Sequence, residues 1–123
     1  MSDNRRIATE AYERVIMALD SSQVDRYFSP HYIQHSSLAA DGVAALKAFL
    51  DQARRDHPQL RTQIRRVLAD GDHVMFHVHT ILEPGDAGFA VVDIFRMKDG
   101  KVAEHWDVIQ PVPHEPSNPN GMF

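Results

Sequence analysis

Apolar residues repeat with two different periods along this chain, one typical of helices and one typical of strands. Before about residue 58 they recur every three or four positions, the spacing that places side chains on one face of an α-helix. This spacing predicts a helix over residues 3 to about 20, a short helical piece over about 22–28, and a third helix that begins at Asp41-Gly42 and ends before Pro58. Asp41 is the expected N-cap of the third helix. Residues 31–35 are expected to be extended, since Pro30 ends the second helical piece.

From about Leu60 apolar and polar residues alternate, which is the period of a strand. Four strands are predicted, over residues 60–68, 73–82, 89–97 and 101–110. The tail over residues 111–123 contains four prolines and is expected to be extended or partly disordered, with docking on this chain or on a neighbouring subunit as the alternative to a free end. Helices followed by a strand meander predict an α+β fold in which a curved antiparallel sheet wraps over the N-terminal helices. Such a cone-shaped fold encloses an apolar pocket for a small molecule.

The last two strands meet at Lys98-Asp99-Gly100, and the length of this loop decides which side chains share a face of the sheet. A two-residue loop would set Asp93 opposite Trp106, and a three-residue loop with a bulge at Gly100 would set Asp93 opposite His105. We favour the second register because it separates an acid-base cluster from an apolar surface. The cluster consists of Asp93, His105 and Asp107, and the opposite face carries Val92, Ile94, Val102, Trp106 and Val108.

Composition narrows the classes of function. The chain of 123 residues is long enough for one domain, and a net charge of -4 without a basic block argues against nucleic acid as a partner. The absence of cysteine excludes disulfides and thiolate chemistry. A polar start, with no apolar run of the roughly 20 residues that span a bilayer, predicts a cytoplasmic protein without a membrane partner. Eight histidines are the unusual feature.

Asp93 is the most informative single position, because it interrupts the apolar run over residues 89–95. A buried carboxylate without partners costs on the order of several kcal/mol, so we expect Asp93 to pair with His105. Such a pair either fixes the hairpin or takes part in catalysis. A carboxylate tuned by an apolar wall and an imidazole suits removal of a proton next to a carbonyl. Asp93 or Asp107 is then the base, and His105 or His35 is its partner or the donor to the enolate oxygen.

Other histidines extend this candidate site. His77 and His79 share one face of a strand and are either structural or close enough to touch one ligand. We predict a ligand pocket lined by Tyr32, His77, His79 and Phe95. The histidines and aspartates also resemble a ligand set for zinc, iron or manganese: His35, His77, His79, His105, Asp93 and Asp107. Because H-x-H is common by chance, we predict no metal and no other cofactor.

Three segments together resemble the SnoaL-like proteins of the nuclear transport factor 2-like superfamily. They are Tyr32-Ile33-Gln34-His35, the segment from Ala40 to Phe49, and the segment from Asp93 to Val108. The resemblance extends from about Asn4 to Gln110, and the subgroup is often described as predicted aldol-condensation enzymes. It implies the cone fold, one SnoaL-like domain over residues 1–123, and a homodimer through the convex face of the sheet that includes Trp106.

The resemblance also implies a chemistry. In the polyketide cyclases of this superfamily, an aspartate on the last strand is the acid-base of an intramolecular aldol closure that uses no metal or cofactor. A second polar residue lies fourteen positions earlier, which matches Asp107 and Asp93 here. Those cyclases carry a histidine at the earlier position, and this chain departs from them with Asp93. Related folds host isomerases, dehydratases, hydrolases and non-catalytic binders, so an apolar carbonyl compound is the expected ligand and the reaction stays open.

Overall fold

The computed structural model describes residues 3–123, so Met1 and Ser2 of the polar start lie outside the described part. Helix α1 covers Asn4–Ala11 and continues as a π-helical segment over Tyr12–Met17. The predicted amphipathic spacing explains its buried face, which includes Ala8, Ala11 and Tyr12. A π-helical segment has wider turns than an α-helix and frequently occurs at functional sites. Here the change of pitch begins at Tyr12, whose side chain reaches the sheet.

Two further helices precede the sheet. Helix α2 covers Val24–Tyr27 after a 3₁₀ turn over Ser21–Gln23, and helix α3 covers Val43–Asp56. The prediction that Asp41 caps α3 is wrong, because its Oδ1 accepts a hydrogen bond from the backbone N–H of Gln34 at 2.7 Å. Gly42 is the N-cap residue instead, with a φ of 95° that suits glycine. Asp41 therefore ties the start of α3 to the preceding strand.

The sheet has five strands in the order β1-β5-β4-β3-β2. They are β1 (Phe28–Gln34), β2 (Arg61–Asp70), β3 (His73–Ile81), β4 (Phe89–Lys98) and β5 (Lys101–Pro111). The predicted α+β class and the antiparallel meander from β2 to β5 are confirmed. The prediction omitted β1, which pairs with β5 in parallel and makes the sheet mixed.

The β4–β5 hairpin corrects the predicted loop. Lys98 pairs with Lys101, so the loop has two residues, and both Asp99 (φ 53°) and Gly100 (φ 76°) have the positive φ of a type I′ turn. The three-residue loop is therefore wrong. A β-bulge then adds one residue to β5, because Met97 pairs with Val102 while Arg96 pairs with Glu104.

The bulge at Ala103 restores the side-chain alternation that the shorter loop would have reversed. Asp93 now lies opposite Asp107, and His105 lies opposite Phe95. Asp93, His105 and Asp107 consequently share a face, as expected, although by a different route. Val102 was assigned to the opposite face and is instead fully buried in the core.

We call the face of the sheet that packs on the helices the inner face and the other the outer face. Phe76 and Phe95 are on the inner face and pack against Tyr12 of the helical layer, with ring centroids 4.5 Å and 5.9 Å from its ring. The C-terminal tail crosses the outer face, where the Phe123 ring stacks on His79 at 4.3 Å. Within residues 3–123, no helix is long and apolar enough to cross a membrane.

Candidate active site

A buried aspartate and a buried histidine form a hydrogen-bonded pair on the inner face of the β4–β5 hairpin. Asp93 is 6% exposed and His105 is 9% exposed. Nε2 of His105 lies 2.7 Å from Oδ1 of Asp93. The pair supplies the partner that a carboxylate in an apolar strand requires, since a buried charge without a partner is costly.

Gln34 of β1 determines which nitrogen of His105 carries a hydrogen. Nδ1 of His105 lies 2.7 Å from Oε1 of Gln34. The same oxygen accepts a hydrogen bond from the backbone N–H of Ser36 at 3.1 Å, which fixes the orientation of the amide group. Nδ1 must therefore donate. A proton then lies between Nε2 and Asp93 Oδ1, either in an imidazolium–carboxylate pair or in a neutral imidazole–carboxylic acid pair.

Tyr12 of the π-helical segment holds the second oxygen of Asp93. Its hydroxyl donates a hydrogen bond to Oδ2 of Asp93 at 2.5 Å. Burial, and then the charge and hydrogen bond of Asp93, raise the pKa of Tyr12 well above its ordinary value. Tyr12 therefore stays a neutral donor, and both oxygens of Asp93 are engaged.

Asp107 is the carboxylate without such support. It lies opposite Asp93 on β5, and ligand atoms of Asp93, His105 and Asp107 lie within 4.8 Å of one another. Its side chain is half-buried and makes no hydrogen bond to any other residue in the range 3–123. A carboxylate that accepts no hydrogen bond from the protein has its oxygens available to take a proton from a ligand.

Asp107 and the Asp93–His105 pair line a partly enclosed cavity of about 90 Å³. Its apolar wall is formed by residues of the helices, the 36–41 loop and β4: Ile16, Leu38, Ala39, Leu46, Phe49 and Phe95. Its polar wall is formed by residues of β1, β4, β5 and the loop: Tyr32, Gln34, Ser36, Asp93, His105 and Asp107. The polar groups therefore converge at one side of an otherwise apolar space, as in small-molecule sites.

Tyr32 and Phe95 line this cavity, where the sequence predicted them. Burial raises the pKa of Tyr32, and the charges of Asp93 and Asp107 raise it further, while a hydrogen bond with Gln34 acts in the opposite direction. The Tyr32 hydroxyl is consequently a neutral group close to both carboxylates.

The structure places three predicted site residues on the outer face, away from the cavity. His35 stacks on Trp106 with ring centroids 5.0 Å apart, and its Nε2 lies 2.6 Å from Oε2 of Glu104. His77 contacts Arg66 and Phe123, while Nε2 of His79 lies 2.8 Å from the carbonyl oxygen of Ala87. The sheet separates these histidines from Asp93 and Asp107. His77 and His79 thus do not line this cavity, and His35 does not contact the aspartates.

Sequence reasoning missed Tyr12 and Gln34 as site residues. Tyr12 repeats with the apolar residues of the first helix, which is a sign of burial, and a buried tyrosine hydroxyl usually finds a hydrogen-bond partner. That signal pointed to a polar partner in the sheet without identifying it. Gln34 could be placed only with β1, whose parallel pairing with β5 brings Gln34 beside His105.

The Asp93, His105 and Asp107 cluster also has the composition of a metal site. The Nδ1–H of His105 that donates to Gln34 is a common feature of histidines that bind metals through Nε2. However, Nε2 is directed at Asp93 Oδ1, and Oδ2 accepts from Tyr12. A metal ion would have to displace the first of these hydrogen bonds, so the present arrangement is that of a proton-sharing pair.

Comparison with known proteins assigns the chain to a family. The SnoaL-like domain model matches residues 8–105. The chain belongs to the SnoaL-like family. No functionally curated protein matches the sequence.

Solved structures share the SnoaL-like fold at low sequence identity. TsrD from Streptomyces laurentii is 18% identical with a TM-score of 0.71, and the match covers 85% of this chain and 89% of that one. A candidate polyketide cyclase from Acidithiobacillus ferrooxidans is 20% identical with a TM-score of 0.72 and 88% of each chain covered. A candidate isomerase of the SnoaL-like family from Agrobacterium tumefaciens is 15% identical with a TM-score of 0.72, covering 89% and 99%. Identities this low establish the fold, and the chemistry must be argued from the site.

Proposed function

We propose that this SnoaL-like protein is an enzyme that moves a proton at the carbon next to a carbonyl group, without a cofactor. Aldol closure, isomerisation and lyase reactions all contain this step. The observation that carries the proposal is Asp107, a cavity carboxylate without a hydrogen-bond partner among residues 3–123, beside a buried pair that shares a proton. The SnoaL-like fold of candidate cyclases and isomerases agrees with this chemistry.

Asp107 is the base in this mechanism. Its carboxylate accepts the proton from the carbon next to the carbonyl, and the C–H electron pair forms the carbon–carbon double bond of an enolate. The negative charge moves to the carbonyl oxygen, where a preorganised donor stabilises it. The proton shared by Asp93 and His105 and the hydroxyl of Tyr32 are the donors that line the cavity. Return of the proton from Asp107 to carbon completes an isomerisation.

The two aspartates have different roles because their surroundings differ. Asp93 accepts a hydrogen bond from Tyr12 on one oxygen and pairs with His105 through the other. Both of its oxygens are therefore already engaged. Asp107 is free of such contacts among the described residues. Asp93 and Asp107 lie opposite each other, and the proton held between Asp93 and His105 reduces the repulsion between the two carboxyl groups.

Exchange of carbon-bound hydrogen in D₂O tests the proposal directly. ¹H NMR of small ketones, beginning with butanone, should show loss of the signal next to the carbonyl at a rate that depends on the protein. Asp107→Asn should reduce this rate by about 10²-fold or more, the usual contribution of a general base. Asp93→Asn should also lose activity, because an amide cannot share the pair's proton.

Asp70→Asn is the matched control, since Asp70 is an exposed carboxylate on β2 outside the cavity. It should exchange butanone at the wild-type rate. Exchange that persists in Asp107→Asn, or a ketone panel with no protein-dependent exchange, would contradict the proposal. Activity that disappears on dialysis against EDTA and returns with a divalent cation would instead favour a metal-dependent reaction at the same three residues.

We further propose a homodimer that forms through the outer face. Val92, Ile94 and Trp106 are only partly buried in the single chain, and Val108 is 67% exposed. Apolar side chains on adjacent strands of one sheet face suit burial against a second copy.

A further inference from the structure

The cavity beside Asp107 is small, and two carboxyl groups but no lysine or arginine line it, so both its size and its lining restrict the ligand. We propose that the substrate is a compact, uncharged carbonyl compound with about four to six non-hydrogen atoms inside the cavity. This inference rests on the proposed function and adds the class of substrate. It excludes two alternatives, a polycyclic ketone and a carbonyl compound that carries a carboxylate or phosphate.

The volume sets the upper limit on size. The cavity measures about 90 Å³. An apolar cavity of about 150 Å³ lined by Leu, Ile and Phe accommodates one benzene ring, so the present cavity is smaller than that needed for a single aromatic ring. A fused ring system therefore does not fit without movement of the walls.

The walls are held by the core and resist such movement. Phe95 is 1% exposed and its ring packs edge-on against those of Phe28 and Phe76, with centroids 5.9 Å and 5.4 Å away. Leu46 is 3% exposed on α3. Because protein interiors are close-packed, displacing either side chain would disturb its neighbours as well.

The charge of the lining residues sets the second limit. No lysine or arginine lines the cavity, whereas Asp93 and Asp107 both line it, and His105 is already paired with Asp93. An anionic substrate would have to lose its water shell beside Asp107 without gaining an unpaired cation, which is unfavourable in a poorly solvated space. A neutral ketone needs only an apolar wall and one donor for its oxygen, and the cavity offers both.

The lining residues with the greatest apolar exposure are Leu38 in the loop before α3 and Phe49 on α3. Leu38 is 60% exposed and Phe49 is 37% exposed, so this side of the cavity faces solvent. Leu46, in contrast, lies deeper. Shortening Leu46 should enlarge the cavity, and shortening Phe49 should widen it on this exposed side.

Three carbonyl compounds separate size from charge in the D₂O exchange experiment. Butanone is compact and neutral, pyruvate is compact and anionic, and 1-tetralone is bicyclic and neutral. Relative to exchange of each compound without protein, the enhancement for butanone should exceed that for pyruvate and for 1-tetralone by about tenfold or more, the discrimination typical of pocket fit.

Leu46→Ala should raise the enhancement for 1-tetralone relative to that for butanone by a similar factor. Leu68→Ala, on the exposed surface of β2, should leave this ratio unchanged. If Leu46→Ala does not fold, Phe49→Ala replaces it.

The outcomes distinguish this inference from the function on which it rests. Equal enhancement of 1-tetralone and butanone would overturn the limit on size, and equal enhancement of pyruvate and butanone would overturn the limit on charge. In both cases exchange that still requires Asp107 leaves the proposed function standing. Absence of exchange for all three compounds would remove the proposed function and this inference together.

Discussion

Tyr12 shows at the level of one residue how the helical layer supports the site. Its ring stacks on Phe76 in the core, and its hydroxyl donates to Asp93. A hydrogen bond to a buried charged group typically contributes about 1.5–3 kcal/mol to stability. The same contact keeps Asp93 directed at His105, so in the proposed mechanism Tyr12 is a positioning residue for the pair.

Replacing Tyr12 by phenylalanine should lower the free energy of unfolding at neutral pH by about 1.5–3 kcal/mol, because Asp93 loses a donor. It should also reduce the fall in the free energy of unfolding that occurs as the pH rises above 10. The pKa of Tyr12 is raised in the folded protein above the ordinary value of 10.0, so its contribution is complete below that pH and is lost as pH rises toward the folded pKa. Urea unfolding on both sides of pH 10 measures both effects.

Tyr32→Phe provides the comparison for that experiment. Its pKa is also raised by burial, so this variant should flatten the alkaline decline as well. It should cost less stability at neutral pH, because no hydrogen bond from Tyr32 to Asp93 is present. A Tyr12→Phe protein with the stability and the alkaline slope of the wild type would show that the contact with Asp93 contributes nothing.

At the level of elements, the β4–β5 hairpin depends on a single extra residue. The two-residue turn alone would direct Asp107 to the outer face, and the bulge at Ala103 returns it to the inner face. Inserting one alanine after Ala103 should therefore exchange the faces of β5 beyond the bulge, placing Trp106 against the core and His105 away from Asp93. The expected result is a strongly destabilised protein without ketone exchange.

Ala103→Gly keeps the residue count and is the control for that insertion. It should retain the pairing of Asp93 with Asp107 and retain ketone exchange. Circular dichroism, urea unfolding and the exchange rate compare the two variants. An insertion variant that is as stable and as active as Ala103→Gly would show that the residue count at the bulge does not set the register.

The elements also show what the sequence could and could not predict. Alternation identified β2 to β5 because their side chains are buried on one face, and it predicted that Asp93 and His105 would meet because a buried carboxylate needs a partner. It could not identify β1, whose partner β5 is distant in sequence and whose pairing leaves little local pattern. The alternation of β3 grouped His77 with His79 correctly. The period alone does not say which face of a strand the helices cover. These two histidines were therefore expected at a cavity that lies on the other side of the sheet.

At the level of the whole molecule, the sheet separates a side that holds the cavity from a side rich in aromatic rings. The inner face holds the cavity with Asp93, His105 and Asp107, while the outer face carries Trp106 between the rings of His35 and His73. The tail adds Phe123 to the outer face, where Arg65 lies over its ring at 5.4 Å. Aromatic and apolar side chains on this surface, without a covering helix, provide the physical basis for the proposed homodimer.

The homodimer is tested by changing the outer face without changing the cavity. Sedimentation at micromolar concentration should give about twice the 13.9 kDa mass of the chain. Val108→Lys should shift the protein toward the monomer, because Val108 is 67% exposed on β5 and a lysine there would lose water on association. Leu38→Lys places the same charge on a cavity-lining residue that is 60% exposed and lies away from the outer face. It should leave the dimer intact. A wild-type monomer, or dissociation caused by Leu38→Lys and not by Val108→Lys, would exclude the outer face as the interface.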